Sequence, residues 1–515
     1  GYSRGNSSGT LAAWAVRLPT WFGLALLLAL LVREAAAERL SRAGFAAAAL
    51  VAFCTLLPIG AQFYGDRAAG WLGIDARAYY CAATLLREGR DPYEAAPLHA
   101  CERDTPAPYY RPPQRVTVPA PYPPYALALF APLTALRFAD ATIVWWMLLA
   151  LAIVGAAYAL AAIVRAPFRI AWAALALAVG LTTLAAGNVL PVALCALILT
   201  ALALARKRYV WAAVAATAAM IEPQIGLPAL IALGVAVPAS RLPLGIGIAL
   251  LGALSFSTAG IATTLQYFTA VIPAHALAEV SRDNQYSLST ILAAIGAPDA
   301  SAALAGTVSY AIATAAGVIV ALRLADRYAA PAAIVLVPPA FALLGGSFVH
   351  TAEIAAAVPA ALLLVTNDRT RAPWLLAALL LLAVPWMMAT SVALFLAPLA
   401  PVAYLLYVLG ARDRTLALAG TVVAFAIVVG LFYAAAGAPH VAAVAHPHPP
   451  IDPRLAEASW RDYVLGNSTN NAAMWLLRLP TWLGLLALVA GAVTLARRAS
   501  HASGSVEYRL SQSNA

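Results

Sequence analysis

Long apolar runs separated by short arginine clusters organise this chain. The apolar segments fall at 44–60, 140–164, 168–183, 189–205, 209–236 with a break at Pro223, 242–258, 302–324, 330–343, 352–366, 372–389, 390–410, 415–436 and 475–496. Each predicts a membrane helix, although several are shorter than the ~20 residues a straight span needs. The stretch 61–139 differs: it is too long and too rich in Pro and Tyr for a simple connector, and loops of that length are usually functional. Within it, 78–87 predicts an amphipathic helix lying on the membrane, and 122–136 a second short apolar helix that re-enters or rests on it. The predicted fold is therefore all-α, a polytopic helical bundle of about 12–15 spans with a large external first loop.

Composition agrees with that pattern. Of 515 residues, 63% are hydrophobic and only 10% charged, far more apolar surface than a soluble core could hide. The net charge of +10 invites a nucleic-acid reading. The arginines, however, sit in clusters between apolar runs, as the positive-inside rule expects, and no nucleic-acid partner is predicted. Arg39/Arg42, Arg165/Arg169, Arg206-Lys207-Arg208, Arg241, Arg323/Arg327, Arg369/Arg371, Arg412/Arg414 and Arg497/Arg498 can all be cytoplasmic together. That choice puts 61–139, 184–190, 259–300, 345–352 and 437–474 outside and leaves 497–515 as a cytoplasmic tail.

The two ends of the chain carry a repeat. Tyr2, Gly5-Asn6-Ser7, Ala12, Trp14 and Arg17-Leu18-Pro19-Thr20-Trp21 recur in order and spacing as Tyr463, Gly466-Asn467-Ser468, Ala473, Trp475 and Arg478-Leu479-Pro480-Thr481-Trp482. Residues 1–36 are thus expected to be an extra span resembling the last one, either the end of a preceding related unit or a signal-anchor helix. The catalytic unit is expected at 37–496.

The motifs that carry chemistry begin with Gly73-Ile74-Asp75-Ala76-Arg77-Ala78-Tyr79-Tyr80, just beyond the first core span. Gly89-x-Asp91-Pro92-Tyr93, Tyr122-Pro123-Pro124-Tyr125, Gly187-Asn188, Glu222-Pro223-Gln224 and Asn284-Gln285-x-Ser287-Leu288 follow in order. Together this ordered set resembles the C-type (GT-C) glycosyltransferases, and within them the polyprenyl-phosphate-mannose-dependent α-1,2-mannosyltransferases of glycosyltransferase family 87. Two departures stand out: the family often has Gln where Asn188 stands, and Lys where Glu222 stands. The resemblance implies a hexosyl transfer, most simply of mannose, from a polyprenyl-phosphate donor to a lipid or glycan acceptor. The location it implies is the external, periplasmic face of a bacterial inner membrane.

The residues support that chemistry on their own terms. A sugar on a lipid phosphate is already activated, because its leaving group departs without protonation, so one base suffices. A glycosidase instead needs a paired acid. Asp75 is the expected base, taking the acceptor proton as that oxygen attacks the anomeric carbon with inversion; the bland alternative is an Asp that caps the helix near Ala76. Cations must hold the departing phosphate, and Arg77, Arg111, Arg115 and Arg282 lie on the same side as Asp75, as do His275 and His350. A proline break flanked by Glu222 and Gln224 suits a cavity wall, since irregular backbone at membrane depth needs one. Asn188, Asn284 and Gln285 are expected to touch substrate. Tyrosines such as Tyr109, Tyr110, Tyr122 and Tyr125 normally mark the membrane interface, while Tyr79 and Tyr80 beside Asp75 are candidates for stacking on sugar.

Of four cysteines, Cys54 and Cys195 fall in spans and are expected in the core. Cys81 and Cys101 share the external loop, where a disulfide would stabilise by ~3 kcal/mol on the chain-entropy model. His440, His446 and His448 lie in a Pro-rich tract read as unstructured, so no metal site is assigned there and no cofactor is predicted, with dependence on a divalent metal left open. Competing readings are a transferase of another lipid-phosphate sugar of the arabinose type, a lipid or solute transporter, and an O-antigen polymerase or ligase. A transporter should show two related halves and midplane charges, and a polymerase its large loops late in the chain.

Overall fold

The computed structural model describes residues 42–69, 72–105, 116–367, 373–386, 398–409, 448–467 and 472–512, with positions 426 and 430. The N-terminal copy of the repeat, Arg111, Arg115, most of 415–436, His440 and His446 lie outside the described residues.

Regular structure among the described residues is helical. Helix α1 (Arg42–Ala69) leads into α2 (Ile74–Arg87), α3 (Ala95–Asp104) and α4 (Pro124–Phe130), which belong to the long loop. The bundle continues through α5 (Phe138–Val164), α6 (Phe168–Thr183), α7 (Leu190–Ala205), α8 (Tyr209–Ala219), α9 (Pro223–Ala236) and α10 (Arg241–Gln266). After these come α11 (Ile272–Glu279), α12 (Leu288–Ala294), α13 (Asp299–Tyr328), α14 (Ala332–Ala342), α15 (Val358–Asn367), α16 (Pro373–Leu382) and α17 (Leu399–Leu409). The chain closes with α18 (Ala456–Asn467) and α19 (Ala472–Gln512). This is the expected all-α polytopic membrane protein.

Four stretches among the described residues are long and apolar enough to cross a membrane: Phe138–Val164, Pro238–Glu279, Asp299–Tyr328 and Met474–Arg497. Other predicted spans are present as apolar helices of 10–17 residues. Proline shortens several of them: Pro223 divides α8 from α9, and α14 carries Pro338 and Pro339. Such pieces leave free backbone groups that only protein packing can satisfy at membrane depth, and α14 accordingly lies between α13, α9 and α7, with every residue from Ala332 to Ala342 buried. By contrast α10 exposes Leu242, Ile246, Leu250 and Phe256, as a lipid-facing helix should.

One boundary is corrected. Residues 259–279 were expected in an external connection, but the helix runs on from α10 through a π-helical turn at Tyr267–Val271 into α11. Its hydroxyl residues mimic a polar loop in the sequence. In the structure Thr258, Thr264 and Thr269 turn their hydroxyls back onto the carbonyls of Leu254 (2.7 Å), Gly260 (2.8 Å) and Leu265 (3.0 Å), which satisfies them within the helix.

The long loop folds against the rest of the chain instead of lying apart. Cys81 of α2 and Cys101 of α3 are joined in a disulfide, and α3 and α11 both pack on α18. Ala95 N–H donates to the Arg454 carbonyl (2.7 Å) and Ala456 N–H to that of Tyr93 (3.1 Å). Helix α2 begins four residues earlier than the amphipathic pattern suggested, which brings Asp75 into its first turn.

Candidate active site

A cavity of about 420 Å³ opens where α2, the 116–123 segment, the α6–α7 turn, the start of α9, α11 and the 346–353 turn converge. Asp75 enters it from α2. The start of that helix is docked on the α6–α7 turn: Gly73 N–H donates to the Ala185 carbonyl (2.8 Å), and Asp75 and Ala76 N–H both donate to that of Ala186 (2.9 and 3.2 Å). These are the amides a helix start leaves unpaired. The approach needs glycine twice. Gly73 has φ 74°, a left-handed conformation, and at Gly187, also φ 74°, a Cβ would come within 2.7 Å of the Ala76 Cβ.

This docking sets Asn188 beside Asp75. Asn188 Nδ2 donates to Asp75 Oδ2 (2.8 Å) and, more loosely, to the Tyr79 hydroxyl (3.4 Å). Asp75 therefore does not cap its own helix; its carboxylate faces the cavity. Burial pushes its carboxyl above the usual range, and the Asn188 hydrogen bond, then the charges of Arg282 and His350, pull it back in part.

A line of hydroxyls continues from there. Tyr79 OH donates to Tyr122 OH (3.2 Å), which donates to Glu222 Oε2 (2.9 Å). Tyr93 OH holds the Tyr122 carbonyl (2.7 Å), and Tyr125 OH holds the Met220 carbonyl (2.9 Å) just before the Pro223 break. Burial keeps the Tyr79 and Tyr122 phenols protonated by raising their pKa well above the ordinary value. Tyr122 and Tyr125 are thus internal connectors, not interface markers. Gln224 lines the cavity too, and its carbonyl accepts from Tyr310 OH (2.8 Å).

The remaining wall is cationic, held in place by carboxylates. Glu279, fully buried, accepts from Arg282 Nη1 (3.0 and 3.2 Å), Gln285 Nε2 (2.9 Å), His350 Nε2 (3.1 Å) and the Trp460 indole. His350 Nδ1 faces Glu353 Oε1 (3.2 Å). With a carboxylate opposite each ring nitrogen, both nitrogens must carry protons, which makes His350 an imidazolium. Burial opposes that charge, but Glu353 and then Glu279 outweigh it and raise its pKa to about 10. Arg282 also stacks over Trp460 (4.9 Å). His275 lines the same wall, edge-on to Phe348 (4.9 Å).

Of the predicted site residues, the cavity brings together Asp75, Tyr79, Asn188, Glu222, Gln224, His275, Arg282, Asn284 and His350. Gln285 stands behind them, buried, with Oε1 taking the Val349 N–H (2.7 Å). Two others point elsewhere. Arg77 turns its guanidinium to the carbonyls of Glu102 (3.0 Å) and Thr105 and over the Phe138 ring, while Tyr80 OH reaches the Leu136 carbonyl (2.8 Å). At helical spacing both leave the Asp75–Tyr79 face of α2, so they tie the loop together. His448 pairs with Asp299 (2.6 Å) at the start of α13.

Sequence reasoning passed over Glu279, Trp460 and Arg478. Glu279 stands four residues after His275 in an apolar run, the spacing of a shared helix face. Arg478, wholly buried in α19, donates from Nε to the Gln285 carbonyl (3.0 Å) and from Nη2 to those of Asp283 (2.7 Å) and Arg282 (3.3 Å). It clamps the loop that carries Arg282 and Asn284, and its signal was the repeated Arg-Leu-Pro-Thr-Trp motif. His275, Glu279 and His350 also offer ligand atoms within 4.8 Å of one another, a set that could hold a metal. A cation there would compete with the donors that already fill both Glu279 oxygens.

A polar cavity with a half-buried carboxylate and an anchored cationic cluster, set among apolar helices, is a candidate site for chemistry in a membrane-embedded protein. The family model of glycosyltransferase family 87 matches residues 121–344, and that match supports a membrane glycosyltransferase. The matched stretch holds Tyr122, Asn188, Glu222, His275, Glu279 and Arg282, with Asp75 before it and His350 after it. No curated protein and no solved structure matches the chain.

Proposed function

We propose that the protein transfers a hexose, most simply mannose, from a polyprenyl-phosphate donor to a lipid or glycan acceptor by one inverting displacement. The observation that carries this reading is the pairing in one cavity of a single Asn188-oriented carboxylate, Asp75, with a fixed cationic pair, Arg282 and His350. An acceptor oxygen attacks the anomeric carbon, the bond from that carbon to the phosphate oxygen breaks, and its electron pair leaves with the polyprenyl phosphate. The acceptor proton passes to Asp75. The phosphate gains one negative charge in that step, and preorganised cations beside it favour the transition state. In a GT-C arrangement this site faces the external side of a bacterial inner membrane, with the loop assembly over the cavity.

The test is to incubate purified protein with radiolabelled polyprenyl-phosphate mannose and candidate acceptors, comparing wild type with Asp75→Asn. Loss of a general base lowers turnover by about 10²–10⁴-fold, while donor affinity stays near wild type. Equal turnover by the variant would remove Asp75 as the base. Movement of donor across liposomes without transfer would favour a flippase.

A further inference from the structure

The cavity is chemically two-sided: the hydrogen-bonded line that carries the base includes no cation, although the charges of Arg282 and His350 reach Asp75 from the facing wall. Asp75, Asn188, Tyr79, Tyr122 and Glu222 form one hydrogen-bonded line, an amide and two phenols between two carboxyl groups. Glu222 occupies the N-cap position of α9 without its side chain capping the helix, and Pro223 follows in the first turn, which leaves the carboxylate free to accept from Tyr122. The cations belong to the other segments, Arg282 beside α11 and His350 in the 346–353 turn, and each is bonded to Glu279.

That division assigns the substrates to sides. The leaving phosphate is anionic and belongs with Arg282 and His350. The acceptor hydroxyl has to reach Asp75, so the part of the acceptor around that hydroxyl lies along Tyr79, Tyr122, Glu222 and Gln224. These groups offer hydroxyl, carboxyl and amide partners suited to sugar hydroxyls, and phenol rings that can lie against a sugar face. A phosphate or carboxylate on the acceptor would meet two carboxyl groups along that hydrogen-bonded line, while the nearest cations, Arg282 and His350, are already bonded to Glu279, an arrangement that a low-dielectric cavity penalises.

We infer that Glu222, with Tyr122 and Gln224, forms the acceptor subsite and selects an uncharged glycosyl acceptor over an anionic one. This rests on the proposed transferase reading and specifies its second substrate. A Lys at this position would turn the same wall toward anionic acceptors, so the side chain at 222 sets the acceptor class.

The experiment measures binding and turnover with an alkyl hexoside and its phosphorylated counterpart, in wild type, Glu222→Gln and Glu222→Lys. Wild type is expected to prefer the neutral hexoside at least tenfold in kcat/KM. Glu222→Lys is expected to raise KM for the neutral hexoside tenfold or more and to gain the phosphorylated one, while Glu222→Gln narrows the preference without reversing it. Donor KM is expected to stay within about twofold in both variants, which also shows that they are folded. Equal use of both acceptors by wild type, or a change confined to donor KM, would overturn the assignment. Equilibrium binding of the radiolabelled hexosides without donor separates the two readings. If no polyprenyl-phosphate sugar is transferred but Glu222→Lys still switches hexoside preference, the donor reading fails and the subsite stands; if transfer occurs without any switch, the subsite fails alone.

Discussion

Asn188 and Asp75, 113 residues apart in sequence, meet at 2.8 Å, with the amide nitrogen of one donating to the carboxylate of the other. The bond can form only because the α6–α7 turn, through the carbonyls of Ala185 and Ala186, accepts the first amides of α2. Asn188 in turn is fixed by its own Oδ1, which takes the Leu190 N–H (2.9 Å). Base, orienting amide and helix start are therefore one structural unit.

Asn188→Ala tests what that unit does to the base. Burial raises the Asp75 pKa and the Asn188 hydrogen bond opposes the rise, so removing the amide raises it further. The base works only when ionised; activity is lost as pH falls through its pKa, and a higher pKa brings that loss at higher pH. A hydrogen bond to a charged group contributes about 1.5–3 kcal/mol, so the acid limb of kcat/KM is expected to move to higher pH. The plateau at higher pH should fall far less. A pH–rate profile with an unmoved acid limb would mean that Asp75 is not the titrating base.

His350 predicts the opposite limb. Its cationic form is maintained by Glu353 and Glu279 against burial, with pKa raised to about 10. In Glu353→Gln one of the two supporting charges is gone, so the imidazolium deprotonates at lower pH and donor affinity should be lost earlier as pH rises. His350→Ala leaves two carboxylates facing the phosphate and should raise donor KM by about a hundredfold, the scale of losing a charge-assisted contact. Direct donor-binding measurements between pH 7 and 10 check both, and pH-independent donor affinity in Glu353→Gln would count against a phosphate role for His350.

The helices were legible in the sequence because membrane spans are written in one-dimensional hydropathy. The helix break at Pro223 and the turns near Gly187 and Gly345-Gly346 were also legible, since Gly and Pro act locally. What the linear pattern could not show was direction around a helix. Asp75, Arg77, Tyr79 and Tyr80 are neighbours in sequence, yet only Asp75 and Tyr79 face the cavity, while Arg77 and Tyr80 fasten the loop. Nor could it show that Glu279 would be saturated by four donor residues from three segments, because Trp460 reaches it from 181 residues away. Long-range partners of buried charges leave no periodic trace.

The loop assembly carries its own pH dependence. Glu102 of α3 and Glu457 of α18 are both buried, with carboxyl pKa values raised by burial to about 8, eased for Glu102 by the Val118 N–H. A carboxyl whose folded pKa exceeds its unfolded value binds more protons in the folded state. Its contribution is complete below the ordinary carboxylate range and is lost as pH rises through about 8. The α3–α18 region is therefore expected to become more open to protease and to amide exchange as pH rises from about 5 to about 8. Glu102→Gln and Glu457→Gln should flatten that dependence, and an unchanged pH profile in the double variant would show that these groups do not control it.

Arg478 offers the sharpest separation of position from charge. Its guanidinium grips three carbonyls of one loop, those of Arg282, Asp283 and Gln285, and lies over the Trp475 ring at 4.2 Å. Trp482, one helical turn on, donates its indole N–H to the Tyr286 carbonyl (3.2 Å). Lysine in place of Arg478 keeps the charge but has no planar fork, so it can hold one of these carbonyls in place of three. The loop that presents Arg282 and Asn284 should then loosen. Arg478→Lys is expected to raise donor KM by about tenfold, the cost of roughly one lost hydrogen bond's worth of positioning, with kcat changed by less than about threefold, because the Asp75 unit is untouched. Amide exchange at 282–286 should quicken in the same variant. Full retention of both donor KM and amide protection would show that charge burial alone, and not the fork, explains an arginine at this depth.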